Sequence, residues 1–279
     1  MTGPRSDEKE RLHLLFEEVR ARVSAKQNGI CTYFDNWLIN LVCLGGPRDE
    51  ASVRHLDALI ARHMQGRWVK FSQRHIEVEK TGNVLSDAKS DIPADVLLLS
   101  QGIKGPVQWR GLPLFKSAFD FALYTQLLGE MRPETIIEIG SGTGASAMWF
   151  ADICAILGQT CRVISLDRVR PPASHPAVDF IVGDCADIKS LITKEMLDRA
   201  PHPILVVEDA HVYVDEVLMH FAEHLALGDR IVVEDAHGKQ AILAAFAKSV
   251  EDRFLVDTFY TDFFGWNATS AANAFFVRV

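Results

Sequence analysis

TIIEIGSGTGAS, residues 135–146, is a short β-branched apolar run that breaks into glycines at 140, 142 and 144 and then resumes as an apolar segment. That order predicts a strand, a turn whose backbone can approach a ligand closely, and the N-terminus of a helix. Four more runs follow: RVISL (162–166), VDFIV (178–182), ILVV (204–207) and RIVV (230–233). None alternates apolar with polar, the pattern of strands buried on both faces, as in a parallel sheet. Helical stretches are expected between them at 144–157, 188–199, 213–226 and 238–250. The chain closes with DRFLVDTFY (252–260) and NAFFVRV (273–279), joined by a segment too short for a helical crossover. These two should pair as an antiparallel hairpin on the sheet edge. The predicted fold is therefore α/β: a Rossmann-like, doubly wound, seven-stranded sheet with an antiparallel terminal strand.

The first hundred residues read differently. Leu12, Leu15, Phe16, Val19 and Val23 lie at helical spacing within 6–27, and 33–44 and 48–64 also look helical. Residues 78–106 read as loop, with the apolar run Val96 to Leu99 inside it. This divides the chain into an N-terminal helical accessory or oligomerisation region, 1–100, and a ligand-binding domain, 101–279.

Composition narrows the class of function. The chain has 279 residues, 48% of them hydrophobic, enough for a substantial core. Acidic residues outnumber basic ones 37 to 29, without a basic run, which speaks against nucleic acid as a partner. Five cysteines form no CxxC pair, as expected for reduced thiols in a cytoplasmic protein. Neither a secretory h-region nor an apolar run of spanning length is present, so membrane association is not expected. Asn267-Ala268-Thr269 matches a glycosylation acceptor only formally.

The glycine turn satisfies two patterns, the GxGxxG/A of dinucleotide sites and the ExGxGxG of S-adenosylmethionine sites. Glu138 favours the second, because a carboxylate repels a pyrophosphate but attracts the cationic amino-acid end of S-adenosylmethionine. Gly140, Ser141 and Gly142 join it as candidate cofactor contacts. Asp167 closes the second strand, where a carboxylate can accept from ribose hydroxyls. Asp184 follows the third, within reach of adenine or as a helix N-cap.

VVEDAH occurs twice, at 206–211 and 232–237, each time at the end of a predicted strand. Glu208 and Asp209 on one strand and Glu234 and Asp235 on the other would offer a hard cation several oxygen ligands. Capping of the following helices by Asp209 and Asp235 is the alternative. His211 and His237 follow their carboxylates closely enough to serve as general bases. His220 and His224 lie one turn apart but lack the HExxH glutamate, so a zinc site is not expected.

The segment 109–158, WRGLPLFKSAFDFALYTQLLGEMRPETIIEIGSGTGASAMWFADICAILG, with RVISLD, VEDAHVY and RIVVEDAH, resembles the cephalosporin-hydroxylase-type family over roughly 105–279. The resemblance implies a class I S-adenosylmethionine-dependent methyltransferase of small-molecule biosynthesis. It also implies Mg²⁺ held between an acidic residue after the fourth strand and an acidic pair after the fifth. Aligning His211-Val212-Tyr213 with the family's D-x-x-H-x-Y pattern puts Glu208 in the metal position, with Glu234 and Asp235 opposite. Glu208 then also borders the cofactor, and His211 becomes the better-placed base. The expected activity is metal-assisted O-methylation of a hydroxyl or carboxyl of a small molecule by a homo-oligomer. An NAD-dependent oxidoreductase and a non-catalytic cofactor-binding partner of an oxygenase are the alternatives. Trp109, Lys116 and Asp120 could wall the acceptor site, although a lysine there is ordinarily solvated.

Overall fold

The computed structural model describes residues 66–74, 88–250 and 253–279. The chain divides into two compact units at Gln65/Gly66, and every described residue lies in the second. The helices expected at 6–27, 33–44 and 48–64 lie outside the described residues.

The second unit opens with β1 (Trp68–Val69), α1 (Ala94–Leu99), the hairpin β2 (Val107–Trp109) and β3 (Leu112–Leu114), and α2 (Ala118–Met131). The alternating region follows as β4 (Thr135–Ile139), α3 (Ala145–Ile156), β5 (Arg162–Asp167) and β6 (Val178–Val182). Next come α4 (Ile188–Leu191), α5 (Lys194–Arg199), β7 (Ile204–Glu208), α6 (Val214–Ala222), β8 (Arg230–Val233) and α7 (Gln240–Ser249). The chain ends with β9 (Phe254–Asp257), the single turn α8 (Thr258–Thr261) and β10 (Phe275–Arg278).

One eight-stranded sheet runs in the order β1-β9-β10-β8-β7-β4-β5-β6. β6, β5, β4, β7 and β8 are mutually parallel, whereas β10 is antiparallel to both β8 and β9. The expected doubly wound sheet is present, with three differences. The expected antiparallel pair of β9 and β10 is present, but it is not outermost, since β1 lies beyond β9. The run 252–260 is strand only to Asp257, whose carboxylate accepts from the Phe259 N–H at 3.1 Å and starts a helical turn. The sheet also reaches back to Trp68, ahead of the boundary expected at 101, because β1 pairs with β9.

Two segments depart from the expected pattern. Residues 94–99 are helical, not loop, with Asp95 in the first turn after Pro93. The helix expected over 188–199 is split, because Thr193 caps a new helix through the Met196 N–H.

All five residues of β4, all five of β7 and all four of β8 are buried, as the unbroken apolar runs require. Each fully buried Val, Leu or Ile contributes roughly 1.5–3 kcal/mol relative to exposure. On the sheet's flank, Tyr124 of α2 packs edge-on against Trp149 and Phe150 of α3. Cys154, Cys161 and Cys185 are free and buried, as expected of core thiols.

The chain winds outward from β4 through β5 to β6, then returns to lay β7 on the other side of β4. Ligands in open α/β sheets bind beyond the carboxyl ends of the strands at this reversal. Here Gly140 leaves β4 with φ +105°, and a Cβ on it would sit 2.6 Å from the Asp209 carbonyl. Glycine is required because the tips of β4 and β7 touch.

Candidate active site

A cleft of about 380 Å³ opens at this reversal. The glycine turn and Asp167 line one side; Lys116, Asp209, His211, Glu234 and Asp235 line the other.

On the glycine side, Asp167 Oδ2 accepts from the Gly142 N–H at 2.8 Å and Oδ1 from Val169 at 3.1 Å. A carboxylate has about four lone-pair positions, so capacity remains for ligand hydroxyls. At Gly142, φ is +49° and an added Cβ would meet no atom within 4 Å, which leaves the backbone open to a ligand. Ser141 turns inward, its hydroxyl 2.5 Å from that of Ser165. Glu138 lies fully buried beneath the turn instead of on the cleft surface. It accepts from the Ser165 hydroxyl at 2.5 Å, while its Oε1 is buried with no hydrogen bond. Burial pushes its pKa up to about 6, against the opposing charge of Lys116. Asp184 does not reach into the cleft: its Oδ1 caps the Ala186 N–H at 3.0 Å, and Gly183 and Cys185 line the cleft instead.

On the acidic side the two VVEDAH copies do meet, since β7 and β8 are neighbours. Their carboxylates, however, have distinct surroundings. Glu208, expected to face metal and cofactor, is fully buried at the last position of β7. Its Oε1 accepts from the N–H groups of Ala210 and His211, both at 3.0 Å, and its Oε2 accepts from Lys239 Nζ at 3.0 Å. Both oxygens of Glu208 are thus engaged within the protein, and it has no exposed surface. The carboxylate of this pair that lines the cleft is Asp209. Glu234 is likewise buried and engaged, by Tyr124 Oη at 2.6 Å and Lys116 Nζ at 2.5 Å. Burial raises its pKa, with Lys116 acting in the opposite direction.

The groups that converge are Asp209, His211 and Asp235, whose ligand atoms lie within 4.8 Å of one another. His211 Nε2 is 3.5 Å from Asp209 Oδ1 and 3.5 Å from Asp235 Oδ2. His211, Tyr213 and Asp235 all have left-handed backbones, with φ of 63°, 53° and 46°. Non-glycine residues hold that conformation only where surrounding contacts impose it, and such strain clusters at functional sites. His237 has no part in this group. Its Nε2 meets the Thr269 carbonyl at 2.9 Å and its Nδ1 lies 3.4 Å from the Ala88 carbonyl. His220 is buried, its Nε2 on the Ile192 carbonyl at 2.7 Å, and burial lowers its pKa.

Lys116, named from the sequence as a possible wall residue but expected to be solvated, lines the cleft as a buried ion-paired group. Its side chain is 1% exposed, and Nζ bridges Asp209 Oδ2 at 2.9 Å and Glu234 Oε2 at 2.5 Å. The two carboxylates hold it cationic by raising its pKa, although burial alone would lower it. Of the suggested wall residues, Lys116 and Asp120 line the cleft, whereas Trp109 does not. The Trp109 indole N–H and the Arg110 guanidinium donate to Asp152 on α3, which clamps the β2–β3 hairpin in place. Asp120 is buried, accepting from the Ser117 and Thr269 hydroxyls, and so ties α2 to the loop before β10.

The model of the rhamnosyl O-methyltransferase/CmcI family matches residues 102–278, more than half of the chain and every residue lining this cleft except Gln101. The chain belongs to that family. Rhamnosyl O-methyltransferase of Mycobacterium tuberculosis is 25% identical over 191 residues, covering 61% of this chain and 77% of the relative. Its Mycobacterium leprae counterpart is 30% identical over 137 residues, 46% of this chain and 60% of that one. Among solved structures, CmcI with Mg-SAM superposes with a TM-score of 0.55 at 26% identity, covering 80% of this chain and 95% of that one. CmcI with SAH gives a TM-score of 0.53 at 26% identity, covering 74% and 98%. This member of the family has the class I fold and is an S-adenosylmethionine-dependent O-methyltransferase. No helix among the described residues is long and apolar enough to cross a membrane.

Proposed function

We propose that this chain methylates a hydroxyl of a glycosylated small molecule, with S-adenosylmethionine on the glycine side of the cleft and a divalent cation, Mg²⁺, on Asp209 and Asp235. The observation that carries the reading is the convergence of Asp209 and Asp235 opposite the open backbone of Gly142 within one cleft. A sugar hydroxyl as acceptor is supported by the rhamnosyl O-methyltransferases among its relatives.

When bound, S-adenosylmethionine supplies an activated methyl group and the cation supplies positive charge beside the acceptor oxygen. The chain's own residues do the rest by positioning. Asp167 would accept from the ribose hydroxyls of the bound cofactor, and the open backbone at Gly142 would admit its amino-acid end. The unpaired Oε1 of Glu138 adds negative potential beneath it. Asp209 and Asp235 present hard oxygen donors of the kind Mg²⁺ prefers. Lys116 holds one oxygen of Asp209 and leaves Oδ1 facing Asp235 and His211. Lys239 pairs with Glu208 and Lys116 with Asp209 and Glu234, which leaves Asp235 as the carboxylate of this group without a lysine contact among the described residues.

The test is methyl transfer from labelled S-adenosylmethionine to a panel of glycosides, before and after chelation and again after adding Mg²⁺. Transfer to a sugar hydroxyl that is lost on chelation and restored by Mg²⁺ is expected. Full transfer after complete metal removal would contradict the cation's role; transfer to carboxyl acceptors alone would contradict the acceptor class.

A further inference from the structure

We propose that Ser270 is a specificity-determining residue, its hydroxyl bonding a second hydroxyl of the acceptor beside the one that is methylated. The inference rests on reading this cleft as the site of methyl transfer to a sugar hydroxyl.

Ser270 lines the cleft from the segment that joins α8 to β10. Its backbone is pinned on both sides. The N–H donates to the buried carboxylate of Asp120 at 3.2 Å, and the carbonyl accepts from the Ala236 N–H at 2.8 Å. Ala236 directly follows Asp235, so Ser270 borders the acidic half of the cleft, where the acceptor is expected.

The segment around it is held by a buried polar network. Asn267, Thr269 and Asn273 have no exposed surface. Asn267 Oδ1 accepts from the Asn273 N–H at 2.9 Å, and the Asn273 amide donates to Gln240 Oε1 at 2.8 Å. The Thr269 hydroxyl donates to Asp120 at 2.6 Å, and the Arg74 guanidinium makes two bonds of 2.7 Å to Asp262. Asn267 and Asn273 both have left-handed backbones, with φ of 49° and 55°, a conformation that persists only where surrounding contacts impose it. A segment so constrained presents its cleft-facing residue at a fixed place.

The Ser270 hydroxyl is the exception to this pairing: its Oγ is buried with no hydrogen bond. Thr261 Oγ1 shares that condition but does not line the cleft. Buried polar groups nearly always have a partner, and one left without is destabilising. Ser270 as a whole is only partly buried, and turning its one side-chain bond carries the hydroxyl between staggered positions without moving the pinned backbone. The partner it lacks within the protein is therefore one that an occupant of the cleft can supply. A hydroxyl fits best, because it both donates and accepts as the serine does, and because the charges of Asp120 and Asp235 disfavour an anionic group there. A site that offers such a bond rejects analogues without the matching hydroxyl.

The experiment compares wild type with Ser270→Ala in the full-length protein. Unfolding without ligand should show an unchanged or raised midpoint, because the lost hydroxyl bonds nothing within the protein. A lowered midpoint would overturn the proposal. Methyl transfer from labelled S-adenosylmethionine is then measured on the best glycoside of the panel and on its deoxy analogues, each lacking one hydroxyl. Ser270→Ala should raise the KM for the intact glycoside about tenfold at nearly constant kcat, with S-adenosylhomocysteine affinity unchanged by calorimetry. One deoxy analogue should be used equally well by wild type and variant, identifying the hydroxyl that Ser270 holds. A KM within about twofold of wild type, a loss of S-adenosylhomocysteine affinity, or an equal effect on every analogue would overturn the proposal. No transfer from the wild type to any glycoside would count against the proposed function and this inference together. Transfer with an unchanged KM in the variant would count against the inference alone.

Discussion

Replacing Lys116 with methionine removes one cation from a nearly dry site and leaves its stem almost unchanged in shape. The side chain is 1% exposed, and Nζ lies 2.9 Å from Asp209 Oδ2 and 2.5 Å from Glu234 Oε2. Glu234 is itself 4% exposed along its side chain, so water cannot replace the lost partner. Removing one member of such a buried pair costs about 3–5 kcal/mol, because the remaining charge stays desolvated. In a domain of this size that is a drop in melting temperature of roughly 10 °C. The assay is denaturant unfolding of Lys116→Met without metal, compared with Lys116→Met/Glu234→Gln. The double variant should recover most of the loss, since the carboxylate without a partner is gone. A loss below about 1 kcal/mol would refute the reasoning, since that is the range of exposed ion pairs.

Three further outcomes are expected. Gly140→Ala places a Cβ 2.6 Å from the Asp209 carbonyl at φ +105° and should cost about 2–5 kcal/mol, read by unfolding. Gly142→Ala meets no protein atom and should cost only about 1 kcal/mol for its left-handed backbone, yet weaken S-adenosylhomocysteine binding measured by calorimetry. Asp152 should make the protein acid-sensitive. Hydrogen bonds from Arg110, and secondarily from Trp109, hold its pKa near about 2, below its ordinary 3.8. Its stabilisation is therefore complete above the unfolded value and is lost as pH falls through the folded one. Allowing for the half-exposed Arg110, the contribution is about 1 kcal/mol, absent from Asp152→Asn in unfolding midpoints measured across that acid range.

The sheet was legible because its central parallel strands β4, β7 and β8 are buried on both faces, so TIIEI, ILVV and RIVV carry no alternation to mislead. Asp257 ended β9 early because a local cap competed with the strand, and run composition does not report that. The glycine turn was legible for a related reason: only glycine fits where β4 touches β7. The acidic pairs are legible as strand tips, but their order of importance is not. Which member of Glu208-Asp209 faces the cleft depends on where β7 stops and on the loop N–H groups that capture Glu208. Neither is set by spacing. Lys116 was legible as a possible wall residue but not as a buried one, because an isolated lysine is ordinarily exposed. Its burial follows from two carboxylates more than ninety positions away in sequence.

Asp235 gives the most direct test of the account. Its side chain is 62% exposed, so Asp235→Asn removes a charge from the cation site with little structural consequence. Calorimetric titration of Mg²⁺ into the wild type and this variant, with unfolding measured in parallel, isolates the site from the fold. The account predicts unchanged stability without metal and at least about a tenfold loss of Mg²⁺ affinity, on the order of 1.4 kcal/mol. Affinity within about twofold of the wild type would contradict a cation held by Asp209 and Asp235.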